Sequence, residues 1–485
     1  MRLASRSSQF SKLFLTALFF CATLLSGCSS GNMQTLPPAG PTKVAVLVTS
    51  TANDQLTNFY ATIASIQLAD SAGNTVPLYI NPNPLSSTSG TPEFMRLNGV
   101  AEPITTASVP QGVYPTALVN ITGCSFTNVS AKSGGGLLTT TYAEGVCEQG
   151  SGQATVHLAA PITISGATMA LSLNLQVSQS YTISPNAVPP SYSISPTFTL
   201  TPFTISSHPA NDQNGLETAI DGMVASVNAS GNNFSLQTAD HVALSIQTDS
   251  STVYQGISSF SGLAAGIFVV MDAEMQSNGS LVATRIEVED TTAVDVLMGG
   301  LLDIGPSPSV ANATIIDVFG AQQQGADFDS ILAFIQRYQL AANTTFRTSG
   351  QFTNIATLPF TASFDPSNLV PGQNIYISSP AISFLAIPTT IATTVTLMPQ
   401  TINGMVTSVS GSGNFQIYTV ALAPNDLLTT LDSTTSVTVY ADSSAQALNS
   451  SPIAVGSLLR FHGLLFNDNG TFRMDCAQIN DGVTE

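Results

Sequence analysis

Two nearly identical phrases stand far apart in this chain of 485 residues, IDGMVASV at residues 220–227 and INGMVTSV at residues 402–409. Both copies later carry an Asn-Gly dipeptide, at residues 278–279 and 469–470. Asn-Gly between apolar segments is a strong signal for a two-residue β-hairpin loop. The repetition therefore predicts two modules that share one all-β topology.

A third, degenerate copy lies between the two. It starts at Gly300, which we align with Gly222 and Gly404, and residues 370–375 replace the turn that contains Gly266. Five short strands with a turn between the third and the fourth are typical of a small, partly open barrel of the OB type. We therefore predict three tandem OB-like β-barrels, over residues 218–291, 292–399 and 400–485.

The middle copy carries one extra segment, residues 326–340. Its apolar residues recur at the spacing of an amphipathic helix, and Asp327 or Asp329 is placed to cap the first turn. The apolar positions are Phe328, Ile331, Leu332, Ile335 and Tyr338. This pattern predicts one short helix inserted in the middle barrel and packed on that barrel.

Strict alternation of apolar and polar residues marks the region before the repeats. In ALSLNLQV, residues 170–177, the leucines and the valine share one face and the polar residues share the other. A period of two over this length indicates a half-buried strand. Several such strands separated by turns predict an antiparallel β-sandwich. We assign the sandwich to residues 42–205, followed by a linker at residues 206–217.

The same region resembles an uncharacterised family. FMRLNGV at residues 94–100 and SVPQGVYPTALVNI at residues 108–121 are similar to a domain common in bacterial lipoproteins. That resemblance implies a transthyretin-like sandwich and brings no catalytic residues. The barrel copies resemble an uncharacterised bacterial domain found in tandem in exported proteins, through the phrase formed by Gly222, Val224, Ser226 and Val227.

The first residues have the layout of a secretory signal. A basic start without acidic residues precedes an apolar run at residues 13–25, which is shorter than the roughly 20 residues of a membrane-spanning helix. The run ends in LSGC, which resembles the lipobox of bacterial lipoproteins. This resemblance implies a signal peptide at residues 1–27, lipidation of Cys28 and a flexible tether at residues 28–41. An ordinary secretory signal that happens to end near Cys28 is the alternative.

A lipidated Cys28 implies palmitate or related acyl chains and an anchor in the cell envelope. The next residue is Ser29 rather than an aspartate. By the same resemblance, this favours the outer membrane, with the folded part on its periplasmic or its surface face.

Charge argues against one class of partner. With the three basic residues of the leader removed, 8 basic and 29 acidic residues remain, a net charge of −21. Nucleic-acid binding depends on clustered Lys and Arg that neutralise phosphates, so we expect no nucleic-acid partner despite the OB-like topology. The expected partners are the membrane, through the lipid anchor, and envelope proteins or glycans.

Cysteine usage fits an exported protein. Cys124 and Cys147 are placed to form a disulfide, which an oxidising envelope permits, and two buried free thiols are the alternative. Cys476 lies in an alternating strand near the C-terminus. We interpret it as a small core residue rather than a nucleophile.

The usual catalytic, phosphate-binding and metal-binding phrases are missing from the sequence. Arg285, Glu287 and Glu289 alternate with apolar residues, which predicts the solvent face of a strand. The histidines lie far apart without metal-ligand spacing, and we expect each to be exposed or in a turn: His157, His208, His241 and His462.

We therefore expect no catalytic residue, no cofactor and no metal ion, and three functions remain. The favoured one is a non-enzymatic, lipid-anchored cell-envelope protein with a structural or protein-interaction role. A glycan or small-ligand binder is the second, weakened by the complete absence of Trp. The third is a hydrolase with an unrecognised site, which converging carboxylates or a buried His–acid pair in a cleft would favour.

Overall fold

Alternating apolar residues place most of the chain in β-strands, as their period of two predicts. The computed structural model describes residues 40–51, 56–84, 90–131, 137–144, 152–184, 191–203, 216–237, 243–276, 278–290, 295–306, 313–325, 330–331, 335–380, 390–424, 426–447 and 452–481. Within these ranges the predicted all-β class is confirmed, with several small barrels and one short α-helix.

The N-terminal region contributes thirteen strands to the described residues. They are β1 (Thr42–Ser50), β2 (Leu56–Ala69), β3 (Thr75–Ile80), β4 (Glu102–Val109), β5 (Gly112–Tyr114), β6 (Thr116–Ala131), β7 (Leu137–Glu144), β8 (Gln153–His157), β9 (Ile162–Ile164), β10 (Thr168–Leu175), β11 (Tyr181–Ser184), β12 (Ser191–Ile194) and β13 (Thr197–Phe203).

Nine of these strands form one sheet, here called the N-terminal sheet. Its order is β3-β2-β6-β8-β13-β10-β1-β4, with β7 paired to β6. The strands at its two ends, β3 and β4, lie close together in space. The sheet therefore curls around one apolar core, whose largest side chains include Phe59, Phe94, Phe126 and Phe198.

Two strand pairs depart from the antiparallel arrangement expected for this region. Strand β1 pairs with β10 in parallel, and β8 pairs with β13 in parallel. Parallel pairs are stable where both faces of the sheet are covered. Strand β1 meets this condition: Val44, Val46 and Val48 lie in the core of the sheet, while Ala45 and Leu47 pack against the next module.

Three barrels follow, each built from one copy of the repeat. The first contains β14 (Leu216–Asn228), β15 (Asn233–Gln237), β16 (Leu244–Gln247), β17 (Val253–Gln255), β18 (Phe268–Met275) and β19 (Leu281–Asp290). The middle barrel contains β20 (Asp295–Pro306), β21 (Thr314–Gly325), β22 (Ser330–Ile331), β23 (Ile335–Thr348), β24 (Asn374–Ser379) and β25 (Thr390–Leu397). The last contains β26 (Gln400–Ser412), β27 (Phe415–Ala421), the helix α1 (Leu427–Asp432), β28 (Ser436–Ala447), β29 (Leu458–Asp468) and β30 (Thr471–Asp481).

All three barrels close in the same strand order. The first strand pairs with the second and the fourth, and the fifth strand runs antiparallel to the fourth. The third strand pairs with the fifth in parallel, namely β16 and β17 with β19, β23 with β25, and β28 with β30. This five-stranded Greek-key closure is the topology of the OB type. The OB-like reading of the repeat is therefore confirmed.

One pair of backbone hydrogen bonds marks the same point in every barrel. A residue of the first strand donates its amide to the turn before the fourth strand and accepts from a glycine of that turn. The glycines have φ values of 89°, 93° and 92°, a conformation that residues with a Cβ rarely adopt. The three pairs are Val224 with Gly266, Leu301 with Gly372, and Val406 with Gly456.

That register corrects the predicted alignment of the middle copy. Counting back two residues from Val224, Leu301 and Val406 aligns Gly222 and Gly404 with Gly299, not with Gly300. The sequence match chose the wrong glycine because two stand side by side. Hydrogen bonding, which the letters do not show, decides between them.

Gly299 and Gly300 differ in the space beside their backbone, which makes the correction testable. A Cβ at Gly299 would collide with the carbonyl oxygen of Phe319 and lie 2.8 Å from Val318 Cγ1, whereas a Cβ at Gly300 would meet nothing within 4 Å. We expect Gly299→Ala to lower the free energy of unfolding by about 2 kcal/mol, the cost of overpacking. The matched change Gly300→Ala should stay within about 0.5 kcal/mol. Urea denaturation measures both, and equal losses would contradict the assigned register.

The helix predicted at residues 326–340 is wrong where the structure describes that segment. Residues 335–340 belong to β23, which lies between β21 and β25; residues 326–329 and 332–334 lie outside the described residues. Tyr338 points into the barrel, whereas Ile335 is 46% exposed. Their spacing of three mimics a helix although they occupy opposite faces of a strand. The α-helix in the described residues, α1, belongs instead to the last barrel.

The N-terminal sheet and the barrels pack together as one unit, Pro41–Glu485. Ala45, Leu47 and Ala170 of the sheet join the apolar cluster of the first barrel. Phe268 and Tyr376 bring the first and middle barrels into contact, with ring centroids 5.6 Å apart. These contacts bring side chains from distant parts of the sequence to shared interfaces.

Candidate functional site

The FMRLNGV phrase forms a tight loop at the centre of these interfaces. The buried Glu93 carboxylate accepts hydrogen bonds from the amides of Phe59, Met95 and Arg96, at 2.8, 3.1 and 2.7 Å. Burial raises the pKa of Glu93 above its usual value, against the effect of these donors. With Phe94 buried in the core, the loop presents the Arg96 side chain to the neighbouring barrels.

Arg96 is held between two carboxylates. Its guanidinium makes a bidentate contact with Glu102, at 2.7 and 2.9 Å, and Nη1 lies 3.2 Å from Oδ1 of Asp221 in the first barrel. Tyr376 of the middle barrel lies beside Asp221. Burial raises the pKa of Asp221 to about 6, although the Arg96 charge opposes that rise. This cluster joins the N-terminal sheet to the first two barrels.

The last barrel contacts the same loop through polar groups. The Thr401 hydroxyl donates to the carbonyl oxygen of Asn98 at 2.6 Å. Arg460 Nη1 lies 3.3 Å from the carbonyl oxygen of Ser50, and Gln478 Nε2 lies 3.4 Å from that of Gly99. The loop therefore contacts the first, middle and last barrels.

His462 is buried beside Thr401, contrary to the expectation of an exposed or turn position. Because the single Thr401 hydroxyl hydrogen is used on Asn98, the oxygen accepts from Nδ1–H of His462, 3.0 Å away. The ring is therefore neutral, with Nε2 as an acceptor that has no partner among the described residues. Burial lowers the pKa of His462 to about 4.

A cavity of about 190 Å³ opens where the N-terminal sheet, the middle barrel and the last barrel meet. Arg96, Glu102 and His462 line one part of it, while Met298, Met398 and Leu428 line an apolar part. The half-buried Thr57, Gly300 and Leu427 also line it, on residues that retain contact with solvent. This is the site that the geometry singles out, and it combines apolar walls with polar groups as ligand sites do.

A second polar interface joins the first and middle barrels. Glu289 lies 2.6 Å from Arg347 and accepts from the Thr396 hydroxyl at 2.9 Å. Glu287 accepts from the amide of Gly350 at 2.9 Å and pairs with Arg285 at 2.8 Å. The predicted solvent face of this strand is therefore wrong. Its charged side chains are buried because the middle barrel supplies their partners.

The remaining predicted positions have different outcomes. Cys476 is a buried free thiol in the core of the last barrel, as expected, and burial raises its pKa. Cys124 is disulfide-bonded, but Cys147 lies outside the described residues, so their pairing stays a prediction. Cys28 also lies outside the described residues. Among the histidines, His157 is exposed, while His208 and His241 lie outside them.

The part of the chain that the structure describes holds no cluster of three or more His, Cys, Asp or Glu side chains suited to a metal ion. In the same ranges, none of the helices has the length and apolar character needed to cross a membrane. Arg96, Asp221 and His462 were missed as a group by sequence reasoning. The one signal that pointed to them was the FMRLNGV phrase, which contains the arginine.

Comparisons with known proteins reach only part of the chain. A family model described as a domain of unknown function (DUF5666) matches residues 221–287, the core of the first barrel. This agrees with the resemblance of that copy to an uncharacterised domain. No curated protein matches the chain.

Two solved structures are similar at low identity. The wild-type single-stranded DNA binding protein from Thermus aquaticus is 14% identical over 39% of this chain and 93% of that one, with a TM-score of 0.16. The tetrameric p202 HIN2 is 12% identical over 37% of this chain and 86% of that one, with a TM-score of 0.12. Likenesses this weak carry no argument about partners.

Proposed function

We propose that this chain is a non-enzymatic, lipid-anchored protein of the bacterial cell envelope with a structural or protein-interaction role. One observation carries the non-enzymatic part: buried ionisable side chains join the modules to one another. Arg96 with Glu102 and Asp221 joins the N-terminal sheet to the first barrel, and Glu289 with Arg347 joins the first barrel to the middle one. Side chains used in this way hold the modules in fixed positions, which suits a scaffold.

The anchor in this proposal rests on the leader sequence. A basic start, a short apolar run and LSGC together favour acylation of Cys28, and several acyl chains at one terminus hold a protein firmly on a membrane. Ser29 favours the outer membrane. The net charge of −21 without the leader keeps such a protein soluble at the membrane surface and disfavours nucleic acid as a partner.

We expect Cys28→Ala to move the full-length protein from the membrane fraction to the soluble fraction of expressing bacteria. The reason is that the acyl chains, each buried methylene contributing about 0.8 kcal/mol, supply the whole anchor. Detergent-phase partitioning and the mass of the N-terminal peptide measure the change. Cys21→Ala is the matched control, because Cys21 lies in the same leader but outside the lipobox, and it should leave partitioning unchanged. Membrane retention of the Cys28 variant would refute the anchor.

The non-enzymatic part is checked on the same purified full-length protein in detergent. Ester, glycoside, phosphate and peptide substrates, with and without Ca²⁺ or Zn²⁺, should give no saturable turnover. Turnover that disappears on replacing His462 or one acidic residue would overturn this part and leave the anchor untouched.

A further inference from the structure

We propose that the cavity between the N-terminal sheet, the middle barrel and the last barrel binds a neutral, hydroxyl-bearing molecule the size of a monosaccharide. This ligand site goes beyond the scaffold role and does not depend on it. Four features of the cavity carry the proposal: how it arises, its size, its polar groups and its charge.

The cavity arises where the middle repeat omits an apolar pair that the other repeats keep. The conserved register aligns Gly300 with a methionine in each outer barrel, and that methionine faces an apolar residue of the fourth strand. In the first barrel the pair is Met223 with Phe268, and in the last it is Met405 with Leu458. In the middle barrel Gly300 faces Asn374, and both residues line the cavity. A side chain is missing at the point where the space opens.

The volume is too large for a packing defect. Protein interiors are close-packed and rarely leave voids larger than a water molecule. An engineered apolar cavity of about 150 Å³ is enough to bind benzene, and the present cavity of about 190 Å³ is larger. A single six-membered ring with its substituents is the class of molecule that this space admits.

The polar groups of the cavity favour a ligand that donates hydrogen bonds. His462 is 93% buried, and its neutral Nε2 is an acceptor without a partner among the described residues. Asn374 uses Nδ2 on the carbonyl oxygen of Pro399 at 3.1 Å, and the described residues supply no donor to its side-chain oxygen. Hydroxyl groups satisfy both acceptors. A buried acceptor left without a donor is costly, so a ligand that supplies donors is stabilised here.

The charges of the cavity favour a neutral ligand. Arg96 is its one cation among the described lining residues, and Glu102 and Asp221 already hold that charge. The lining carboxylates are used as well: Glu102 by Arg96, Glu93 by three backbone amides, and Asp426 by the first turn of α1 through the Leu428 amide. An anion would therefore meet an acidic wall, and a cation would have to displace contacts of the protein itself. The methionines and Leu428 offer an apolar wall to ring carbons.

The test is calorimetric titration of the full-length protein with neutral sugars and their charged analogues. The probes are glucose, galactose, mannose and N-acetylglucosamine, with glucosamine and glucuronate as the charged forms of one ring. We expect at least one neutral sugar to bind, and each charged form to bind at least tenfold more weakly. Cellobiose separates two sources of the same chemistry, because undiminished binding means a glycan end and loss of binding means a free sugar.

Variants locate the binding. Gly300→Leu fills the cavity from a position where a Cβ meets nothing, and it should weaken binding at least tenfold. Gly305→Leu is the matched control, since Gly305 lies on the same strand in open space and does not line the cavity. It should leave binding unchanged. His462→Asn keeps a donor toward Thr401 but removes Nε2, and it should weaken binding about fivefold to tenfold, as expected for one lost hydrogen bond.

Three results would overturn the proposal: no binding of any neutral sugar, tighter binding of glucuronate or glucosamine, or unchanged binding by a folded Gly300→Leu protein. Thermal unfolding shows whether that variant is folded. If it is not, the His462→Asn protein decides, because unchanged affinity in that variant excludes the cavity.

Discussion

Replacing Arg96 with methionine should lower the free energy of unfolding by about 3–5 kcal/mol, the usual cost of removing one partner from a buried ion pair. The change leaves Glu102 and Asp221 buried without their cation. Methionine keeps most of the apolar stem, so the loss reports the charge more than the packing. Urea denaturation of the full-length protein at pH 7 measures the effect.

A surface pair provides the control. Arg337 forms a short ion pair with Asp317 but is 53% exposed, and pairs of this kind contribute about 0–1 kcal/mol. Arg337→Met should therefore be nearly neutral. Adding Glu102→Gln and Asp221→Asn to the Arg96 variant should recover much of the lost stability, since the uncompensated charges are then gone. A loss at Arg96 no greater than that at Arg337 would contradict the buried-cluster interpretation.

The repeat and its turns were predictable because they depend on local chemistry. Asn469 and Gly470 have φ values of 53° and 85°, the left-handed pair that a two-residue hairpin requires and that Asn-Gly supplies. Gly266, Gly372 and Gly456 adopt one positive φ before the fourth strand of each barrel. Such positions select glycine by backbone geometry alone, so a match of letters also matches structure.

The helix error shows where periodicity stops being informative. In β23, Tyr338 and Leu340 face the barrel core, but Ile335 faces outward on the same strand. An apolar residue on an exposed face converts a period of two into an apparent helical period. Only the pairing of β23 with β21 and β25 resolves the ambiguity, and those partners lie elsewhere in the sequence.

The candidate site was not predictable, because its residues come together only through packing between modules. Arg96, Asp221 and His462 belong to the N-terminal sheet, the first barrel and the last barrel. Polar residues alternating along a strand normally face water, so Glu287 and Glu289 were assigned to a solvent face. They are buried because Arg347 and the Gly350 amide come from a different barrel. No local pattern encodes such a partner.

The pH dependence of stability should separate His462 from Asp221, because their pKa shifts have opposite consequences. Burial lowers the pKa of His462 to about 4, below its ordinary value near 6.5, so the unfolded chain takes up a proton more readily as pH falls through that window. Stability from this group is complete above pH 6.5 and is lost toward pH 4. The pKa of Asp221 is raised to about 6 from 3.8, so the folded protein binds the proton first and gains stability as pH falls from 6 to 3.8.

In the wild-type protein the two effects largely cancel between pH 7 and pH 4.5, and single variants expose them. His462→Asn removes the loss, so this variant should lose about 2 kcal/mol less stability than the wild type over that interval, from 1.36 kcal/mol per pKa unit. Asp221→Asn removes the gain and should lose about 2 kcal/mol more. Urea denaturation at the two pH values measures each difference, and other carboxyl groups cancel in the comparison with wild type. The double variant should return close to the wild-type dependence, since the two groups are separate side chains with nearly additive effects. Parallel pH profiles for the two single variants would show that neither shift exists in the folded protein.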